Sequence, residues 1–407
     1  MKIIHTSDWH LGAQIYEQSR HPEQEKFTVW LKELMRKEKP DALIVAGDIF
    51  DTYSPPNASL ELYYSMLGEI IKESLCRTVV IVGGNHDSPT MLDSPDKVLS
   101  QLNIKVIGGA DIEKEIVLIK GEDGKAELAV GAVPYLRDAD LRLSGEGEDF
   151  SDVSSKLRAG LKKHYLEVAQ KARAQAGKDV PLLLTGHFFL SKSRLSDDLS
   201  ERTRQIGNMG EILFELLPPS DYFALGHLHI PQAVAGNESC RYSGAPIPMS
   251  FSEAGQEKSV VIVEFSGTSS VRLVTVPCFQ RLEQIKGTTA LVEARIKELL
   301  ESSADVWLDV QISEHEGDLG EFWNNLSALV EKGSVKILTK QDARPHRPWD
   351  RRGGQEAALE TIKPADVFKM RLDEEPLSPD EKAEFTQMFE EIVQTGTQDD
   401  IIKEQSL

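Results

Sequence analysis

Apolar residues along the first half of the chain come in short β-branched runs, and each run ends abruptly in glycine, aspartate or histidine. Lys2 to Thr6 reads as a buried strand that gives way to Ser7-Asp8-Trp9-His10. Asp41 to Ala46 does the same ahead of Gly47-Asp48-Ile49-Phe50-Asp51, and Thr78-Val79-Val80-Ile81-Val82 runs into Gly83-Gly84-Asn85-His86-Asp87. Runs that are apolar at nearly every position fit strands covered on both faces. Between them the spacing turns helical. Phe27, Trp30, Leu31, Leu34 and Met35 mark a helix from about Glu25 to Lys39 that stops at Pro40, and Asn57 opens another through Leu60, Tyr63, Tyr64, Leu67 and Ile71. A charged, loop-like interval around Arg137 to Asp152 and an amphipathic helix from about Ser154 to Gln175 follow. The strand pattern then returns twice: Leu182 to Thr185 ends in Gly186-His187, and Tyr222 to Leu225 ends in Gly226-His227-Leu228-His229. Strand, polar tip, helix, strand is the order of a βαβ sheet, whose sites form at the carboxyl ends of its strands.

Beyond these tips the pattern changes. Ser259 to Phe265 and Val271 to Pro277, separated by Ser266-Gly267-Thr268-Ser269, predict a β-hairpin that closes a first domain at about residue 278. From Phe279 the order is strand, helix Thr288 to Glu301, strand Val306 to Ile312, helix Leu319 to Val330 and strand Val335 to Leu338, a small second α/β domain over 279–340. Residues 341–358 read as a linker. The basic stretch with Lys336, Lys340, Arg344, His346, Arg347, Arg351 and Arg352, carrying Trp349, suits either phosphate contact or a plain linker. In 359–407, Ser378-Pro379-Asp380-Glu381 predicts a capped helix start with Phe385, Met388, Phe389 and Ile392 on one face, and Val367, Phe368 and Met370 suggest a shorter helix before it.

At 407 residues with 40% hydrophobic content, the chain has material for a core larger than one typical domain. No stretch is long and apolar enough to span a membrane, and Met1-Lys2-Ile3-Ile4 leads into polar residues rather than a signal-peptide core, so a cytosolic location is expected. Cys76, Cys240 and Cys278 lie far apart, which argues against a disulfide framework or a thiolate zinc site. A formal net charge of −20 argues against a nucleic-acid partner when taken alone. Metal ions and a local basic patch can reverse the sign where such a ligand docks.

The candidate chemistry lies at the strand ends. His10, His86, His187, His227 and His229, out of 10 histidines in all, sit at these tips. A single G-H or G-D after a strand is commonly an ordinary turn. The ordered set D-x-H, G-D-x-x-D, G-N-H-D, G-H and G-H-x-H, each after its own apolar run, is not expected by chance. Carboxylates, imidazoles and an amide without thiolates favour hard to borderline divalent ions: Mn²⁺ first, with Mg²⁺, Fe²⁺ or Zn²⁺ as alternatives. Two such ions about 3.5–4 Å apart need a bridging carboxylate and can act on a phosphoester by in-line attack. Asp87 is expected to brace its turn through backbone hydrogen bonds, and His5 to be a satisfied core histidine or a support behind the ligands. His21, His164, His315 and His346 lack motif context.

These motifs resemble the calcineurin-like metallophosphoesterase signature. His5-Thr6-Ser7-Asp8-Trp9-His10-Leu11-Gly12, Val45 to Thr52 with Ser54-Pro55-Pro56, Gly84 to Ser88, Ala224 to His229 and Arg241 to Phe251 are further similar to the nuclease components of double-strand-break-repair complexes, over essentially the whole length. The resemblance implies an α/β sandwich with helices flanking its sheets, a capping domain and C-terminal helices. It implies one metal on Asp8, His10, Asp48 and His229 and a second on Asp48, Asn85, His187 and His227, with Asp48 as the bridge. His86 would stabilise the scissile phosphate or protonate the leaving oxygen. Many phosphatases of the superfamily pair that histidine with an aspartate at the position of Asp51, whereas archaeal relatives of the nuclease carry histidine there, so a His86–Asp51 dyad is expected here.

The resemblance also implies DNA ends and hairpins as substrates, in repair, replication and recombination close to the nucleoid. It implies an SMC-like ATPase docked on the C-terminal helices. Finally, it implies a homodimer, within a heterotetramer, built through helices near Asn57 to Ser74 and Met91 to Leu102. A small-molecule or protein phosphoesterase on the same scaffold would be expected as a compact single domain, without the cap-like region and C-terminal helices. A catalytically dead scaffold would have lost ligands, and every matched ligand is present.

Overall fold

The computed structural model describes residues 1–141, 150–191, 193, 212–302, 305–314, 319–331 and 333–342, together with Phe368, Leu372, Lys382, Phe385, Thr386, Met388 and Phe389. Two compact units divide the chain, Met1–Arg344 and Pro345–Leu407.

The first unit opens with β1 (Lys2–Thr6), a short hairpin β2 (Gln14–Ile15) and β3 (Gln18–Ser19), α1 (His21–Glu38), β4 (Ala42–Ala46), α2 (Asn57–Lys72) and β5 (Thr78–Val82). Two short helices, α3 (Pro89–Asp93) and α4 (Asp96–Leu99), lead to β6 (Ile104–Ile107), β7 (Ile116–Lys120) and β8 (Ala126–Gly131). Then come α5 (Asp138–Leu141), α6 (Phe150–Ala176), β9 (Leu182–His187), β10 (Tyr222–Gly226), β11 (Gln232–Val234), β12 (Asn237–Tyr242), β13 (Ser259–Ser266) and β14 (Thr268–Thr275). These strands build two six-stranded sheets, in the orders β14-β13-β1-β4-β5-β6 and β11-β12-β10-β9-β8-β7. Strands β1, β4, β5 and β6 are parallel neighbours, as are β8, β9, β10 and β12.

The apolar runs are explained by their two faces. Ile4, Leu43, Val45, Val79 and Ile81 pack under α1 and α2. Their neighbours Ile3, Ala42, Ile44, Val80 and Val82 instead meet Val130, Leu183, Tyr222 and Ala224 of the second sheet. Strand side chains alternate between faces, so a strand sandwiched between a helical layer and another sheet has to be apolar throughout. The outer face of the second sheet is covered by Leu157, Leu161, Tyr165 and Val168 of α6. The result is a helix–sheet–sheet–helix sandwich, as expected.

Some boundaries shift. Helix α1 begins at His21 rather than Glu25, because Pro22 fits the first turn, where its missing N–H costs nothing. It ends where Lys39 turns left-handed (φ 50°) ahead of Pro40. The interval expected as loop holds α5, and α6 starts before Ser154; residues 142–149 lie outside the described ones. The closing hairpin is tighter than expected: Ser266 pairs with Thr268 around Gly267 (φ 88°), so Thr268 to Ser270 join the strand.

The same unit continues into β15 (Arg281–Thr288), α7 (Thr289–Glu301), β16 (Val306–Glu314), α8 (Leu319–Val330) and β17 (Val335–Asp342), a parallel sheet in the order β15-β16-β17. Val292, Ile296, Leu299 and Leu326 of its helices pack on Ile285, Leu308, Val310 and Ile312. The opposite face sends Leu282 and Trp307 against Ile15 and Phe251. Lys336 and Lys340 lie on β17, with Lys340 Nζ 2.6 Å from Ser327 Oγ. The rest of the basic stretch, from Arg344 to Arg352, lies outside the described residues, as do His315, Val367, Met370, Ser378-Pro379-Asp380-Glu381 and Ile392. In the second unit Phe368 and Phe389 stack, with ring centroids 4.1 Å apart.

Candidate metal centre

The carboxyl ends of β1, β4 and β5 in one sheet and of β9 and β10 in the other open onto one site. The loops that leave them are strained. Asp8 (φ 53°), His10 (φ 44°), Asp48 (φ 50°) and His227 (φ 98°) all sit at positive φ, which non-glycine residues rarely adopt and which concentrates at functional sites. Main-chain bonds Asp8 N to Gly47 O (2.9 Å), His10 N to Asp48 O (3.0 Å) and Leu11 N to Ile49 O (2.9 Å) fasten the first two loops together. Asp87 accepts from the amides of Ile49 (3.0 Å), Phe50 (2.9 Å) and Gly84 (2.8 Å), so it ties the third loop to the second, the bracing role expected of it. Gly84 is required by close approach: a Cβ there would stand 2.1 Å from Asp48 Oδ1.

All the side chains picked out as ligands converge here. Asp8, His10 and His229 bring donor atoms within 4.8 Å of one another, and so do Asp8, Asp48 and His187. Asp48 Oδ2 is 3.1 Å from His187 Nε2 and 3.6 Å from His10 Nε2, while Oδ1 accepts from the His86 amide at 2.9 Å. Asn85 Oδ1 lies 3.1 Å from His187 Nε2 and 3.0 Å from His227 Nδ1. Asp48 thus lies between the His10 and His187 sides, while Asp8 reaches toward both groups, which the motif spacing does not suggest. His5 is a core residue behind the site, with Nδ1 3.0 Å from the Tyr222 hydroxyl. His21 and His164 pair elsewhere, with Glu25 and Glu115.

One expectation is altered. His86 Nδ1 meets the main-chain carbonyl of Asp51 at 2.8 Å, whereas the Asp51 carboxylate lies 3.2 Å from His10 Nδ1. Asp51 therefore faces His86 through its backbone and His10 through its side chain.

The electrostatics suit a cation. Burial disfavours a charge on His10 and His187, yet the surrounding carboxylates outweigh it: Asp51, Asp48 and Asp8 push His10 up to about 9, and Asp48 and Asp8 push His187 up to about 9. Asp48 is held well below the usual carboxylate range by His187 and His10 despite its burial. His227, buried and next to His187, is pushed down to about 3. His10 Nε2 is buried without a hydrogen-bond partner and faces Asp48 Oδ2 at 3.6 Å, too long for a hydrogen bond, so the nitrogen and the carboxylate are left to share a cation between them.

The motifs do not reveal several supports. Ser7 Oγ bonds an Asp8 oxygen and lies 2.7 Å from Ser243 Oγ, and the His227 amide donates to the other Asp8 oxygen at 2.8 Å. Ala46 O lies 2.9 Å from His187 Nδ1. Buried Glu253 lies 3.1 Å from His229 Nδ1.

Residues 1–231 match the family model described as calcineurin-like phosphoesterase. The chain belongs to the calcineurin-like phosphoesterase family. Residues 278–375 match a second model, described as type 5 capsule protein repressor C-terminal domain. Similar curated proteins include the D subunit of nuclease SbcCD from Escherichia coli K12, 32% identical over 394 residues that cover 96% of this chain and 97% of that one. The protein of the same name from Rhodobacter capsulatus is 34% identical, covering 68% and 69% of the two chains, and that from Bacillus subtilis is 34% identical, covering 65% and 66%. A calcineurin-like phosphoesterase uses divalent metal ions, and the orphaned imidazole nitrogen and clustered carboxylates of this chain fit them. Among the described residues, no helix is long and apolar enough to cross a membrane.

Proposed function

We propose that this calcineurin-like phosphoesterase is the nuclease component of an SbcCD-type complex, a metal-dependent exonuclease and endonuclease that hydrolyses phosphodiester bonds at DNA ends and hairpins. The observation that carries this reading is the convergence of Asp8, His10, Asp48, Asn85, His187, His227 and His229 at the strand ends of both sheets, in a chain that matches the D subunit of E. coli SbcCD over nearly its whole length. Asp8, His10, Asp48 and His229 would hold one ion and Asp48, Asn85, His187 and His227 the other, with Asp48 shared. Mn²⁺ is favoured, with Mg²⁺, Fe²⁺ and Zn²⁺ as alternatives. When bound, such a pair supplies an activated hydroxide and neutralises phosphate charge.

The chain's own residues complete the chemistry. A carbonyl oxygen only accepts, so the proton on His86 Nδ1 points at Asp51 O and Nε2 is the nitrogen left to meet substrate. As an imidazolium, His86 holds on Nε2 the proton that the departing 3′ or 5′ oxygen needs; as the neutral Nδ1–H form, its Nε2 is ready to take a proton back. The left-handed backbone at Asp8, His10 and Asp48 fixes the carboxylates before substrate arrives, so little reorganisation remains for the reaction.

In this reading, 1–278 is the phosphoesterase domain, 279–340 a cap that helps hold DNA, 341–358 a linker and 359–407 the docking helices for an SbcC-like SMC ATPase. Exposed Tyr64, Val98 and Leu102 support a homodimer face, within a heterotetramer, on the helices near Asn57 to Ser74 and Met91 to Leu102. The complex would work in the bacterial cytosol, near the nucleoid.

The test is Mn²⁺-dependent cleavage of end-labelled linear and hairpin DNA by the purified chain, with and without its SbcC-like ATPase. Cleavage lost in His86→Ala, with both metals retained, is the expected result. Intact DNA in both settings, with hydrolysis of a small phosphodiester, would move the substrate to a small-molecule phosphodiesterase.

A further inference from the structure

Four imidazoles of the centre have Nδ1 facing an oxygen outside the proposed ligand set, but only one of those oxygens belongs to a fully buried carboxylate, since the Asp51 carboxylate beside His10 Nδ1 is about one-third exposed. His187 Nδ1 meets the Ala46 carbonyl and His86 Nδ1 the Asp51 carbonyl, both main-chain partners that any residue would supply. His229 Nδ1 meets Oε1 of Glu253, a residue 1% exposed at the end of a single 3₁₀ turn, Phe251–Glu253. The other Glu253 oxygen is committed elsewhere. Oε2 accepts from the Met249 amide at 3.1 Å and from the buried Lys258 ammonium, whose Nζ also donates to the main-chain carbonyl of His229 at 3.0 Å. Glu253 and Lys258 therefore grip His229 from its ring and its backbone at once. The turn is itself anchored, since Phe251 packs with Leu282 and Trp307 of the β15–β17 sheet.

We propose that Glu253 is a positioning residue for the metal centre: it keeps the His229 proton on Nδ1 and so leaves Nε2 as the nitrogen able to ligate beside Asp8 and His10. The inference rests on the reading of His229 as a metal ligand. An ionised carboxylate has no proton to give, so the imidazole must donate across this contact. A neutral imidazole with its proton on Nδ1 has its only ring lone pair on Nε2. A carboxylate behind a ligating histidine fixes both the tautomer and the ring plane, and losing such a partner commonly costs 10–100-fold in metal affinity.

Glu253→Gln separates this role from simple packing. The Met249 amide and Lys258 both donate, so they hold the single glutamine oxygen on their side and turn the NH₂ toward His229. Nδ1 must then accept, the proton moves to Nε2, and the ligating lone pair is gone. The experiment compares wild type, Glu253→Gln and the double variant Glu253→Gln with Lys258→Met. The double variant removes the buried ammonium that the neutral amide leaves unbalanced, while Met249 still selects the oxygen. Mn²⁺ binding is followed by electron paramagnetic resonance, and ring ¹⁵N spectra of the Zn²⁺-loaded protein report the tautomer, with His229 assigned through His229→Gln.

Two Mn²⁺ ions on wild type, with one bound roughly 10–100-fold more weakly in both Glu253 variants and the His229 proton on Nδ1 only in wild type, is the expected result. Two ions bound equally by folded variants and wild type, or a wild-type His229 protonated on Nε2, would overturn the role of Glu253 and leave the metal centre standing. Failure of wild type to bind Mn²⁺ would instead overturn the metal-centre reading, and this inference with it.

Discussion

The carbonyl oxygen of Asp51 lies 2.8 Å from His86 Nδ1, while the carboxylate of the same residue is directed to His10 Nδ1 at 3.2 Å. The two functions of this position are thereby divided between backbone and side chain. Orientation of His86 survives any substitution that preserves the loop, whereas the field on His10 depends on the carboxylate. His86→Ala is expected to lower turnover by about 10²–10⁴-fold, the usual worth of a positioned acid or base, with both metals retained. Asp51→Asn should instead act through metal affinity and leave turnover at saturating metal within about tenfold of wild type. Metal titration combined with single-turnover cleavage separates the two. An Asp51→Asn defect as deep as that of His86→Ala, at full metal occupancy, would return the carboxylate to His86.

Metal ions and protons compete for the nitrogens of this centre. The carboxylates around His10 and His187 push both up to about 9 against the opposing effect of burial, so both rings are imidazolium at neutral pH. A ligating imidazole must be neutral, and each ion bound therefore expels protons. The sign follows directly: metal affinity rises with pH through neutrality and flattens once the medium passes about 9. Calorimetric titration of Mn²⁺ in buffers of different ionisation enthalpy measures the protons released, and a release near zero at neutral pH would contradict this arrangement.

Much of this centre is readable in the sequence because its parts are side chains at the ends of apolar strands. Asp8, His10, Asp48, Asn85, His86, His187, His227 and His229 each announce themselves by following a run buried on both faces. The hidden parts fall into two physical kinds. Ala46 and Asp51 act through main-chain carbonyls, which any residue provides and no motif records. Glu253 acts by side chain but sits in Ser252-Glu253-Ala254-Gly255, a stretch that reads as a solvated turn. Only the fold shows that this carboxylate is buried against His229, 24 positions away. The tight turn at Gly267 escapes the pattern for a related reason, since a polar Thr-Ser-Ser stretch looks like loop until its pairing with β13 is seen.

Gly84 tests how closely the loops must approach. An alanine Cβ would fall 2.1 Å from Asp48 Oδ1 and 2.3 Å from Asp48 N, and the second of these is backbone that cannot swing aside. Gly84→Ala is therefore expected to push the second and third loops apart, at about 1–3 kcal/mol of stability. The shared carboxylate would move out of reach of one side of the centre. Thermal melting should show a folded protein with a lowered midpoint, and Mn²⁺ titration should show loss of at least one site. Full occupancy of both sites in a folded variant would mean that Asp48 is not held where the structure holds it.

Trp307 tests the junction between the β15–β17 sheet and the phosphoesterase part. Trp307 and Leu282 bury against Ile15 and Phe251, with Ala254 and Leu338 packed beside them and the Arg20 guanidinium 5.9 Å from the indole centroid. The sheet has a separate core under α7 and α8, so loosening the junction need not unfold it. Trp307→Ala removes the largest apolar side chain of this contact and should cost about 3 kcal/mol, seen as a lowered melting midpoint and faster proteolysis around Val276 to Arg281. If the cap helps to hold DNA, KM for linear DNA should rise several-fold while hydrolysis of a small phosphodiester, which needs only the metal centre, changes little. The outcome is sharpened by Phe251, which lies on the same turn as Glu253. An equal loss of both activities would mean that the indole acts on the centre through that turn, and unchanged DNA cleavage would remove the cap from substrate binding.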